Sequence, residues 1–137
     1  MKRAAAVALL SVSLVGGAFS VGGASGQEAR PDPPVLRESS RDFPKDDLLE
    51  ARILTATLQP GAASPWHTHA APVAVYVIEG TITLEFEGRE PVSKKAGEAL
   101  LEPINVKVRA ANHGQTPTRV VIFQVSPPSA PFLTPTP

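Results

Sequence analysis

His67 and His69, one residue apart in Trp66-His67-Thr68-His69, carry the most chemical capacity in this sequence. On an extended strand, residues i and i+2 share a face, so both imidazoles can point into one interior. Neutral imidazoles bind divalent ions, and a catalytic site adds a third protein ligand and an open position. His113, Glu102 and Gln124 are the candidates for that third place. His113 lies in Asn112-His113-Gly114, a turn-like stretch that sets it apart from the pair, and Asn112 there is suited to fixing the turn through its side chain. The simpler alternative makes His67 and His69 two histidines at the mouth of a fold, bonded to backbone or water. Trp66 and Tyr76 are aromatics that can stack on a planar ligand or join the core. The chain has no cysteine, which excludes a disulfide framework, a Cys-ligated zinc and a thiol nucleophile.

Strands must position these side chains. The 137 residues, 42% of them hydrophobic, suffice for one domain with a core, and fifteen prolines argue against a helical bundle. Thr81 to Glu87 alternates with Ile82, Leu84 and Phe86 on one face, the pattern of a half-buried strand. Ile104 to Arg109 repeats it, with Ile104, Val106 and Val108 inward and Lys107 and Arg109 outward, where Arg109 can meet Glu85 across a sheet. Val73 to Ile78 and Val120 to Val125 are nearly continuous apolar runs, as in central strands covered on both faces. Ile53 to Gln59 supplies a further strand, and Asp46 to Arg52 alone has helical character. Glu79-Gly80 and Glu87-Gly88-Arg89 read as hairpin connections. Short strands at this spacing predict an all-β sandwich or barrel.

The two ends differ from this middle. Met1-Lys2-Arg3, the apolar run to Val15 and the small residues to Gly26 describe a secretory signal peptide over 1–26. The apolar run is too short and too glycine-broken for a membrane span, so none is expected after cleavage. The protein is thus expected to be secreted or periplasmic. Residues 27–52 read as an extended N-terminal arm, 53–126 as the barrel and 127–137 as a proline-rich C-terminal tail. Thirteen basic and thirteen acidic residues give a formal net charge of zero, which removes the electrostatic case for nucleic acid as a partner.

Gly61, followed after five residues by His67-Thr68-His69, and then Gly80, resemble the first motif of the cupin superfamily. Gly97, Pro103 and Asn112 fall at the spacings of its second motif. The chain is similar to small single-domain exported cupins of the quercetin-dioxygenase-like type. The resemblance implies a double-stranded β-helix, the jelly-roll cupin barrel. The family's ligand glutamate is here Val73, its third histidine is Val108, and the glycine of its Pro-x-Gly is Asn105. Two of the four usual metal ligands have therefore become valine.

The resemblance implies a barrel that binds a small molecule, with Trp66, Val73, Tyr76 and Val108 as pocket lining and His67 and His69 as a degenerate divalent metal site. The reading preferred at this point is a non-catalytic ligand-binding cupin. The alternative is a metal-dependent enzyme of dioxygenase type, in which a substitute ligand joins the two histidines. Small cupins commonly pair, so a homodimer is expected, with Arg30 to Lys45 crossing to the partner and Phe43 as its apolar anchor.

Overall fold

A computed structural model describes residues 30–137; the signal-peptide segment 1–26 lies outside the described residues. Among the described residues nine strands are formed: β1 (Glu50–Leu58), β2 (His67–Thr68), β3 (Val73–Glu79), β4 (Thr81–Phe86), β5 (Val92–Lys95), β6 (Ala99–Glu102), β7 (Val108–Ala111), β8 (Thr118–Ser126) and β9 (Thr134–Pro135). They make two antiparallel sheets, ordered β1-β8-β3-β6 and β5-β4-β7-β2-β9. The architecture is all-β, and no helix occurs among the described residues.

Side-chain alternation explains how the sheets meet. Val73, Val75 and Val77 of β3 face Ile82 and Leu84 of β4, with Leu100, Val108 and Val120, in one buried cluster. Gly80 carries the chain from one sheet to the other, since β3 pairs with β6 and β8 whereas β4 pairs with β5 and β7. This corrects the hairpin expected at Glu79-Gly80. A Cβ at Gly80 would sit 2.6 Å from the Pro117 carbonyl oxygen, and its φ of +75° is one that side chains resist. The β4–β5 connection through Gly88 is a true hairpin, as its spacing indicated.

Four further expectations are corrected. Asp46 to Arg52 is not helical: Glu50 to Arg52 open β1, whose nine-residue ladder with β8 outweighs a helix too short to be stable alone. The strand expected from Ile104 begins only at Val108, because Asn105 takes a left-handed turn with φ 54°. The runs at Val73 and Val120 are buried on one face only; Tyr76, Ile78 and Phe123 on the other face are about two-fifths exposed. The sheets also run past the expected barrel limits of 53 and 126, with β1 starting at Glu50 and β9 lying in the tail.

Candidate metal centre

β2 is only two residues long, yet it is held on both sides. His67 pairs with Val108 of β7 and with Pro135 of β9, and Thr68 pairs with Thr134. The loop leading into it is tied down by Asn112, whose side-chain amide donates to the carbonyls of Leu58 and Thr116 at 2.9 and 2.8 Å. The backbone of Asn112 bonds Gly61 and Ala62 as well. Asn105 stands where the resemblance calls for glycine and keeps the left-handed conformation, which asparagine tolerates better than most residues. Its N–H donates to the His69 carbonyl at 2.9 Å, so this turn positions the second histidine.

His67 and His69 are both buried, 6% and 2% exposed, with Nε2 atoms 3.1 Å apart. Glu102 is 5% exposed, and its Oε2 lies 2.9 Å from His69 Nε2. The three donor atoms all fall within 4.8 Å of one another. Glu102 is brought there by register: on β6 it lies opposite Val73 of β3, and directly paired residues project to the same face.

The hydrogen bonds on the far side of each ring decide what these atoms can do. His67 Nδ1 contacts the Pro65 carbonyl and His69 Nδ1 the Phe132 carbonyl, each at 2.8 Å. A carbonyl oxygen can only accept, so both Nδ1 atoms carry the hydrogen. In the neutral rings each Nε2 then presents a bare lone pair, and the two lone pairs face each other. Glu102 Oε2 adds a third, and despite its nearness to His69 it has no aligned hydrogen-bond donor. Three buried lone pairs converging without a hydrogen among them repel unless a cation lies between them. A proton can bridge one pair of these atoms; a divalent ion satisfies all three. Separations of 3.1 and 2.9 Å also match the spacing of about 3 Å between adjacent donors around an ion with bonds near 2.1 Å.

The electrostatics agree. Burial pushes His69 toward the neutral form. The Glu102 carboxylate beside Nε2 and the Phe132 carbonyl that accepts from Nδ1 outweigh it and hold the pKa above the ordinary 6.5. The pocket thus favours positive charge at Nε2. His67, His69 and Glu102 form a group that could hold a divalent metal.

The three donors open into a cavity of about 130 Å³. Its wall is mainly apolar, with Val73, Val75, Ile82 and Ile122 from the sheets and Phe132 and Leu133 from the C-terminal segment. Val73 is therefore in the wall. Val108 is fully buried in the adjacent core, paired with His67, and is not part of the wall. Trp66 and Tyr76 are placed elsewhere, contrary to expectation. The Trp66 ring lies beneath the guanidinium of Arg109 at 4.9 Å, because its position alternates with His67 to the outside. Tyr76 lines a separate groove under Pro34 to Leu36 on the outer face of its sheet.

Among the other third-ligand candidates, His113 points away and contacts Glu85 Oε1 at 2.9 Å. Gln124 is buried on the other side of Val73, but its amide donates to the Phe132 carbonyl at 3.2 Å. It steadies the same oxygen that orients His69.

Comparison with known proteins agrees with this architecture. The cupin domain family matches residues 54–123. An RmlC-like cupin family protein with a double-stranded β-helix fold from Methanocaldococcus jannaschii is similar, with a TM-score of 0.52 and 26% identity over 71% of this chain and 90% of that one. The DMSP lyase DddQ from Ruegeria pomeroyi has a TM-score of 0.54 at 18% identity, over 66% of this chain and 44% of the lyase. The polyketide cyclase RemF from Streptomyces resistomycificus has a TM-score of 0.53 at 20% identity, over 63% and 60%. These two likenesses are of fold, and the chain spans less than half the lyase's length. No match was found among curated proteins.

Proposed function

The chain belongs to the cupin family, and from that footing we propose that it is a metal-dependent cupin acting on a small molecule, with His67, His69 and Glu102 as the metal ligands. The observation that carries this reading is the convergence of three buried lone pairs, each histidine fixed as a donor by a carbonyl behind it. Glu102 takes the part of the glutamate missing at Val73, so the substitute-ligand alternative moves ahead of the degenerate site.

Two histidines and one carboxylate leave coordination positions free, the arrangement that suits substrate activation. A divalent ion there would supply Lewis acidity to an oxygen of the bound molecule. The chain's own residues do the rest. The Pro65 and Phe132 carbonyls hold both rings in the donor tautomer, and such outer partners orient ligands and raise their basicity. Glu102 would offset one positive charge in a wall to which no described lysine or arginine contributes. Phe132, Leu133 and the valines limit water, which strengthens every electrostatic contact inside.

A second reading, ligand binding without turnover, is favoured by one feature. Beyond the three ligands, the polar side chain in the cavity wall is Ser64, whose hydroxyl already bonds Ala110 N–H and the Pro65 carbonyl. Any proton transfer would have to use a ligand or the substrate itself. Export through residues 1–26 and pairing into a homodimer remain part of the proposal.

Titrating chelator-treated protein with zinc, manganese or ferrous ion by calorimetry tests the metal reading. One ion per chain is expected. Failure of all three to bind would return the chain to the apolar-pocket reading.

A further inference from the structure

The chamber in front of the three ligands has a size and a charge pattern, and together they select a chemical class of ligand. The inference rests on the metal reading and extends it.

Size comes first. The cavity of about 130 Å³ is near the roughly 150 Å³ of an apolar protein cavity that holds benzene. It accommodates one six-membered ring and not two fused ones. Charge comes second. Among the described residues no lysine or arginine lines the cavity, so an ion held there would be the one available counter-charge for an anion. Glu102 already offsets half of a divalent ion's charge. One anionic oxygen is therefore compensated, while a second would be buried unpaired, which is strongly unfavourable. The wall beyond the ligands is apolar and suits a hydrocarbon body.

The C-terminal segment supplies a part of the wall beside the ligands. The Phe132 ring meets the His69 ring edge-on at 5.5 Å, and Leu133 adjoins the same cavity. The segment is anchored through its backbone: the Phe132 carbonyl accepts from His69 and Gln124, β9 pairs with β2, and Thr136 N–H donates to the Trp66 carbonyl. Arg52 also holds the Ala130 carbonyl at 2.9 Å. The Phe132 and Leu133 side chains can thus be shortened without removing the backbone hydrogen bond that orients His69.

We propose that this centre takes a ligand no larger than a single six-membered ring, carrying one neutral or singly anionic oxygen donor, and that Phe132 and Leu133 set the size limit. Phenol represents the favoured class, naphthol exceeds the size and oxalate exceeds the charge.

The test is calorimetry of the zinc-loaded chain with these three probes, after zinc stoichiometry has been measured. Phenol should bind at least about tenfold more tightly than naphthol or oxalate, the scale of discrimination an apolar wall provides. In a chain carrying Phe132→Ala and Leu133→Ala, naphthol should approach phenol while oxalate stays excluded and zinc affinity holds. If that variant is unstable, Leu133→Ala alone should narrow the gap between naphthol and phenol. Naphthol or oxalate binding as tightly as phenol to the unmodified chain would overturn the proposal, as would shortened side chains that leave selectivity unchanged. Zinc bound without probe selectivity sinks this inference alone; absence of zinc binding sinks the metal reading with it.

Discussion

Glu102 is the residue on which the chemistry turns. Substitution of the family's glutamate by Val73 left a carboxylate missing on β3, and Glu102 provides one from the facing position on β6. The spacing of His67 and His69 was legible in the sequence because two residues on one strand need only a period of two. Glu102 stood among several substitutes because its nearness depends on the β3–β6 register, which no local pattern encodes. Val108 was expected in the pocket wall, yet it packs among Val73, Val75, Ile82 and Leu84 in the core cluster beside the cavity. Glu102→Gln makes a two-sided test. The metal-free variant should be more stable than the parent by about 1–3 kcal/mol, since a neutral amide can donate to His69 Nε2 where a carboxylate cannot. Added zinc should then raise the melting temperature of the parent and leave the variant's unchanged. Thermal melts with and without zinc read both effects.

At the scale of elements, alternation revealed β4 and a continuous apolar run revealed β8, while Asn105 interrupted a pattern that otherwise reads as one strand from Ile104. Its side chain gave no apolar cue to the turn; its left-handed backbone did. The C-terminal tail reads from its prolines as an extended segment outside the barrel, yet Thr134 and Pro135 find an open edge beside β2, where a missing N–H at Pro135 costs little. Across β4 and β7, Glu85 pairs directly with Arg109, the partnership that outward alternation indicated. Hydrogen bonds from Arg109 and then His113 hold the Glu85 carboxyl below its ordinary 4.5. Its contribution to stability is therefore fully present above that value and is lost as pH falls through the lowered folded value. Glu85→Gln should flatten the acid limb of the stability profile below about pH 4.5 and leave neutral-pH metal binding intact. Urea melts across pH 3 to 7 check this, and an unchanged acid limb would remove Glu85 from the account.

Among the described residues, a face of the molecule is left open. On the outside of the β1-β8-β3-β6 sheet, Ile53 is 70% exposed beside Phe123, and Tyr76 and Ile78 continue the apolar surface. Pro34 to Leu36 cover part of this face, while Phe43 is 44% exposed. A second copy, bringing an identical apolar sheet face, is the occupant we propose for this surface. The mature chain should sediment as a homodimer at micromolar concentration. Ile53→Lys, or deletion through Lys45, should shift it toward monomer with little change in fold. A monomeric parent chain would remove the dimer.

Anomalous diffraction from zinc-containing crystals reads the metal position itself. One strong peak is expected at bonding distance, about 2.0–2.2 Å, from His67 Nε2, His69 Nε2 and a Glu102 oxygen together. Zinc-saturated crystals with no peak among these three atoms, or with Glu102 turned away from the ion, would contradict the metal reading.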